Sequence, residues 1–267
     1  MDVLHAVALG VLQGLTEFLP VSSSGHLVLA QQLSGAQIEH ALAFDVALHI
    51  GTLVAVLVYF RADLMAMAQS LWAPVGRETE RRWIGLLALA TLPVVVVGGL
   101  FADTIEQAFH SVTLVGVSLW LTAGLLALAS RRDGGTRTAA AVTMADALWI
   151  GSFQVLGLVP GVSRSGSTLV GGLLAGIERE TAARFAFLMA VPAIAGATAK
   201  NAFALRSLME TGAAPVVAGV FAAAVTGWLA IEIMMRAVRA GRLLGFALYC
   251  LALGSASVVV SVVGFGG

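Results

Sequence analysis

Pro20-Val-Ser-Ser-Ser-Gly-His26 and Pro160-Gly-Val-Ser-Arg-Ser-Gly-Ser-Thr168 are two similar polar interruptions in an oily chain. Each follows an apolar segment that carries a glutamine, Gln13 or Gln154, and each precedes another apolar segment. Residues 3–33 and 144–177 are therefore apolar regions broken in the middle. Each half has about 10 to 16 residues, whereas roughly 20 are needed to cross about 30 Å of hydrocarbon. Proline removes a backbone donor and ends a helix. Glycine and serine then suit a tight reversal, and serine caps the helix that follows. Both regions read as re-entrant helix–loop–helix hairpins. Non-helical backbone at membrane depth is tolerated only where protein or a wet cavity covers it.

The rest of the chain agrees with a membrane setting. Of 267 residues, 59% are hydrophobic and 11% charged, and the mean hydropathy is +0.94. Soluble domains carry about 25% charged residues. Six further stretches are long and apolar enough to span: roughly 43–60, 83–101, 112–130, 184–203, 215–235 and 243–263. The expected fold is an all-α integral membrane protein, with about six transmembrane helices plus two re-entrant hairpins in one polytopic domain over 1–267. A formal net charge of zero leaves no basic footprint for nucleic acid. The single Cys250 excludes an internal disulfide. The absence of Lys or Arg before Arg61 is unlike the basic start of a cleavable signal peptide.

Charge placement gives the topology. Arg61, Arg77, Arg81 and Arg82 lie on one connection, Arg131, Arg132 and Arg137 on a second, and Arg236, Arg239 and Arg242 on a third. Connection 102–111 has Asp103 and Glu106 but no Lys or Arg. If both hairpins return to the side they entered from, all three Arg-rich connections fall in the cytoplasm with Arg179 and Arg184, as the positive-inside rule requires. Only Lys200 and Arg206 fall outside. Both termini are then outside, and the hairpins enter from opposite faces, so their tips should meet near the midplane. A fixed offset of 141 residues relates Gly10, Gln13, Leu15, Ser22, Ser24, Gly25 and Phe44 to Gly151, Gln154, Leu156, Ser163, Ser165, Gly166 and Phe185. The chain therefore reads as inverted repeats over roughly 1–130 and 144–267, a plan common in transporters.

The two tips carry different chemistry. Gln13 and Glu17 are i and i+4 on the incoming helix and share a face. Their oxygens are hard donors suited to Mg²⁺ or Ca²⁺; a Glu17 held neutral, or paired with Arg164, is the structural alternative. Ser22, Ser23 and Ser24 open a helix whose free amides attract phosphate, although capping alone also explains them. His26 fits a general acid/base, a phosphate ligand or a nucleophile. Arg164 is a fixed planar cation that matches phosphate oxygens, with Ser163, Ser165, Ser167 and Thr168 around it. Asp45 and His49 share a face of the next span, where packing or a structural hydrogen bond competes with a supporting role at the site.

Together, Gln13-Gly-Leu-Thr-Glu17-Phe-Leu-Pro-Val-Ser-Ser-Ser-Gly-His26 and Pro160-Gly-Val-Ser-Arg-Ser-Gly-Ser-Thr168 resemble the paired signature motifs of the bacterial undecaprenyl pyrophosphate phosphatases of the bacitracin-resistance type. The order, separation and chain length also match. The resemblance implies an enzyme of the bacterial inner membrane that removes the terminal phosphate from undecaprenyl pyrophosphate, recycling the lipid carrier for peptidoglycan synthesis. It implies dependence on a divalent metal and a site facing the periplasm. That family accepts Glu or Gln at its first motif position; with Gln13, the metal donors here are one carboxylate and one amide. The expected chemistry is metal-assisted phosphoanhydride hydrolysis, with Arg164, Ser163 and Thr168 holding the pyrophosphate and Ser22, Ser24 and Ser165 assisting. The attacking group is His26, Ser23 with Glu17 or His26 as base, or a water. The expected partners are the lipid substrate, the bilayer and a second copy of the chain as a homodimer. The rival class is a transporter or flippase of a phosphorylated isoprenoid lipid.

Overall fold

A computed structural model describes residues 2–34, 41–73, 75–109, 111–132 and 134–264, and among these no β-strand forms. The first broken region gives α1 (Val3–Phe18) and α2 (Ser23–Ser34); the second gives α8 (Met144–Leu156) and α9 (Arg164–Leu174). α1, the longest of the four with 16 residues, is only about 24 Å long at 1.5 Å per residue. Local signals set their ends. The Asp2 carboxylate accepts the His5 N–H at 2.7 Å at the start of α1, and Thr143 and Asp146 form a reciprocal capping box at the start of α8. α1 packs on α2, and α8 on α9, so each region doubles back.

Between and after the hairpins lie α3 (Ala41–Tyr59), α4 (Arg61–Ser70), α5 (Glu78–Leu100), α6 (Ala102–Ala108) and α7 (Val112–Ser130), then α10 (Arg179–Leu188), α11 (Ala190–Lys200), α12 (Ala202–Arg239) and α13 (Leu244–Gly264). Five stretches are long and apolar enough to cross a membrane, and a sixth joins them if the bent pair α3–α4 is one span. The chain is a multi-pass membrane protein. The expected spans are present, with bends beside or within them. The stretch expected at 43–60 is α3, and the chain bends by 73° at its end, where α3 meets α4. The span expected at 184–203 begins at Arg179 and is divided at Met189. The span expected at 215–235 sits inside α12, which breaks at Gly212. Pro215 explains that break: a helical proline clashes with the carbonyl four residues back and removes one hydrogen bond.

The packing partners of the two halves exchange. α1 lies on α12 and α8 lies on α5; α3 lies on α12 and α11 lies on α5; α7 and α13 lie on each other. The close approach of the hairpins depends on equivalent glycines. A Cβ on Gly10 would stand 2.2 Å from the Gly219 carbonyl oxygen, and one on Gly151 would stand 2.3 Å from the Ala90 carbonyl oxygen. Small residues at such crossings let backbones touch where lipid removes the usual hydrophobic drive. Phe18, Phe60 and Phe187 pack as an aromatic cluster behind the first tip, with ring centroids 5.7 Å (Phe18–Phe187) and 6.0 Å (Phe60–Phe187) apart. The outer surface is apolar: Val217, Phe221, Val225, Leu229 and Ile233 form an exposed stripe at four-residue spacing on α12, a pattern suited to lipid.

The Arg-rich segments gather at one end of the bundle. Arg82 donates to the Ala140 and Val142 carbonyls, and Arg179 donates to Arg132 O at 2.9 Å. Arg184 pairs with Asp63 at 2.9 Å, and Arg184 and Arg239 both reach Glu180 Oε1 at 3.0 Å. These bonds tie α4, α5, α10, α12 and the 131–143 connection together at the same end.

Candidate active site

The two breaks in the hairpins abut. A Cβ on Gly25 would lie 3.1 Å from the Gly161 Cα, and one on Gly166 would lie 3.1 Å from the Pro20 Cβ. The contact is therefore reciprocal between the tips, and a larger residue at either glycine would push them apart. Ser165 Oγ reaches Leu19 O at 3.4 Å across the same seam. The seam is packed: Val21, Val162, Ser163 and Ser165 are all buried.

Both helices leaving the seam start in the same way. Ser22 Oγ accepts the Gly25 N–H at 3.2 Å and lies 3.3 Å from Ser24 Oγ. Ser163 Oγ accepts the Gly166 N–H at 3.0 Å and lies 3.2 Å from Ser165 Oγ. Ser22 and Ser163 thus cap their helices, and each pairs with the serine two residues on. Ser22 alone has φ +69, a left-handed conformation that a non-glycine residue enters at a cost. Thr168, fully buried one turn into α9, donates its hydroxyl to Arg164 O at 2.8 Å. It supports the arginine's backbone in this state.

Glu17 is the hub. Arg164 Nη2 from the second tip donates to its Oε1 in an ion pair. Its Oε2 accepts from Ser23 Oγ at 2.6 Å and from Gln13 Nε2 at 3.1 Å, and His49 Nε2 stands 3.6 Å away. A buried carboxylate requires such partners. Two atoms beside it have no partner among the described residues: Gln13 Oε1, an acceptor, and Arg164 Nη1, a donor, both buried. Because Gln13 must turn its NH₂ toward the carboxylate, its oxygen is left for a donor or a cation. The unused guanidinium nitrogen is complementary to an anion. Gln154, the counterpart of Gln13, is also buried, and neither amide atom has a partner among the described residues. Among the described residues, no group of three or more His, Cys, Asp or Glu gathers to hold a metal.

His26 is held at both ends of its ring. Nδ1 lies 2.7 Å from Ser22 O and Nε2 lies 2.7 Å from Tyr249 Oη on α13. The sequence reading did not single out Tyr249; its only mark there is a polar atom within an apolar helix. His49 donates from Nδ1 to Asp45 O at 2.7 Å, while the Asp45 carboxylate accepts from Gln31 at 3.3 and 3.4 Å. His49 thus borders Glu17, and Asp45 supports α2 through Gln31. All ten residues expected to form the site lie at or beside the seam: Gln13, Glu17, Ser22, Ser23, Ser24, His26, Ser163, Arg164, Ser165 and Thr168.

The family described as Bacitracin resistance protein BacA matches residues 6–256 of this chain. An undecaprenyl-diphosphatase of Syntrophotalea carbinolica is 43% identical over 268 residues, covering 98% of this chain and 100% of that protein. One of Desulfosudis oleivorans is 41% identical over 274 residues, with 98% and 100% covered. One of Pelobacter propionicus is 42% identical over 277 residues, with both chains covered completely.

Proposed function

This chain belongs to the bacitracin resistance protein BacA family, and on that premise we propose how its seam of two hairpin tips carries out the family's reaction. The protein is an undecaprenyl pyrophosphate phosphatase: it hydrolyses the lipid pyrophosphate to undecaprenyl phosphate and inorganic phosphate. Ser23 is the nucleophile. The observation that carries this assignment is Ser23 Oγ donating to Glu17 Oε2 at 2.6 Å, beside an arginine with a free nitrogen. A hydroxyl is a weak nucleophile until an adjacent base takes its proton.

The sequence left a choice between Arg164 pairing with Glu17 and Arg164 binding phosphate; the geometry accommodates both. Arg164 Nη1 donates to the first phosphate oxygen while Nη2 still pairs with Glu17. Drawing the guanidinium further toward the anion then releases Glu17 Oε1 and makes the carboxylate a better base. Ser23 Oγ transfers its proton to Glu17 and attacks the terminal phosphorus. The bridging oxygen departs with the prenyl phosphate, leaving phosphoserine at position 23. Water then attacks that phosphorus, and inorganic phosphate leaves as the serine oxygen regains a proton. His26, one turn from Ser23 on α2, is the base for this water. Ser22, Ser24, Ser163, Ser165 and Thr168 fix the two helix starts whose amides and arginine surround the charge.

A divalent cation fits one edge of this site. Gln13 Oε1 is a buried oxygen without a partner beside the Glu17 carboxylate; Mg²⁺ characteristically uses one or two protein oxygens and completes its shell with water and substrate phosphates. Gln13 and Glu17 would hold Mg²⁺ or Ca²⁺, which when bound supplies neutralisation of phosphate charge. The Arg-rich end supports an orientation with that end in the cytoplasm of a bacterial inner membrane, and the site opening toward the periplasm. The test is phosphate release by detergent-solubilised protein, which has no two compartments. Release that disappears in Arg164→Ala while the variant stays folded supports the reading. Near-normal release from Arg164→Ala, or translocation without hydrolysis, would remove it.

A further inference from the structure

We infer that Tyr249 is a positioning residue for His26: its hydroxyl fixes the ring and its tautomer for turnover. This rests on the reading of the first tip as part of the phosphatase site. A carbonyl oxygen can only accept a hydrogen bond, so the nitrogen 2.7 Å from Ser22 O, Nδ1, carries the proton. In the neutral ring Nε2 then bears the lone pair. Among the described residues the group bound there is the Tyr249 hydroxyl, also at 2.7 Å, which must be the donor. The two bonds point along opposite ends of one imidazole and define its orientation. The rings of His26 and Tyr249 lie parallel within 2°, with centroids 5.7 Å apart.

The two anchors come from different parts of the molecule. Ser22 O also accepts the His26 backbone N–H at 3.2 Å, so the first anchor belongs to the start of α2 itself. Tyr249 belongs to α13, 223 residues away, and ties the first tip to the last helix. Cys250 strengthens the same junction, its thiol lying 3.6 Å from Pro20 O. His26 is buried, whereas Tyr249 is 47% exposed on the lipid-facing side. Tyr249 therefore closes the outer edge of the site beside the base. During the second half-reaction the attacking water takes the position of the hydroxyl on Nε2, and the hydroxyl returns afterwards. A base whose lone pair is held in register before water arrives loses no time in an unproductive ring orientation or in the wrong tautomer.

The test uses the full chain in detergent with ¹⁵N-labelled histidine rings, the His26 signals being identified as those missing from His26→Gln. In the unaltered protein His26 should show a protonated Nδ1 and a hydrogen-bonded, unprotonated Nε2. Tyr249→Phe keeps the stacked ring and removes the donor. It should move the Nε2 signal toward the free-base position and lower kcat about tenfold with KM within about twofold. Tyr249→Leu should lower kcat by no more than Tyr249→Phe, since the hydroxyl and not the ring is what acts. An unchanged Nε2 signal in Tyr249→Phe, or an unchanged kcat, would overturn the proposal. The ring signals require no turnover, so they judge the contact independently of the reaction. Full activity of His26→Gln, with the ring signals of the unaltered protein as expected, would instead break the reading of His26 as a base, and with it the role of Tyr249 in turnover.

Discussion

Arg164 of the second hairpin donates to the Glu17 carboxylate of the first, across 147 positions of sequence, and both side chains are largely buried. Neither half of the chain owns a complete site. The two breaks supply similar helix starts, and one carries an acid while the other carries a base strong enough to stay charged. Their ion pair holds the seam together until phosphate competes for the arginine.

That pairing predicts a stability pattern. Glu17→Ala leaves a buried guanidinium without its counter-ion, and Arg164→Ala leaves a buried carboxylate; each should cost about 3–5 kcal/mol. Arg164→Ala/Glu17→Ala together should cost less than the sum of the two. Thermal or denaturant unfolding in detergent, read as a double-mutant cycle, checks this; strict additivity would mean the ion pair contributes nothing.

Adjacent serines should behave differently. Ser22 and Ser163 accept helix-start amides, so Ser163→Ala should cost about 1 kcal/mol of stability and spare most of the turnover. Among the described residues Ser23 Oγ is engaged by Glu17 alone, so Ser23→Ala should keep the melting temperature and lose at least about 10³-fold in kcat. Parallel melting curves and phosphate-release rates separate the two effects.

The metal edge gives a third expectation. Chelation should abolish phosphate release, and adding back Mg²⁺ or Ca²⁺ should restore it. Gln13→Glu puts a second carboxylate beside Glu17 and should lower the half-saturating metal concentration; Gln13→Leu should raise it by about 10-fold. A metal titration of activity reads both. Equal metal dependence in all three proteins would move the cation away from Gln13.

Steric contacts predict symmetric damage in the two halves. A Cβ at Gly10 or at Gly151 meets a carbonyl oxygen at 2.2 or 2.3 Å. Gly10→Val and Gly151→Val should each push a hairpin off its supporting helix, with loss of 1–3 kcal/mol or more, about the usual cost of overpacking. Expression and melting temperature should fall in both; tolerance of either would mean that α1 or α8 can shift without consequence.

Much of this architecture was legible because its signals are local or additive. Pro20 and Pro160 end helices wherever they stand, and the arginines segregate by count alone. The hairpin halves were thus readable to within a few residues. The 73° bend at Phe60, the division at Met189 and the break at Gly212 were not, because an apolar run does not say where its neighbours make it bend. At the site, Glu17, Ser23, His26 and Arg164 stood out as costly polar groups in apolar surroundings. Tyr249 did not, since an interfacial tyrosine on a lipid-facing helix has the same composition as one that clamps a histidine. His49 was visible only as a neighbour of Asp45 in sequence. Its approach to Glu17 depends on how α3 packs beside α1, which no motif encodes.

The most direct test of a site shared by two hairpins is rapid quenching of the purified enzyme with undecaprenyl pyrophosphate labelled in the terminal phosphate, followed by mapping of the labelled peptide. The account predicts label on Ser23, absent from Ser23→Ala and lost from Arg164→Ala, although the arginine lies on the other hairpin. Label on His26, or wild-type turnover by Ser23→Ala, would contradict it.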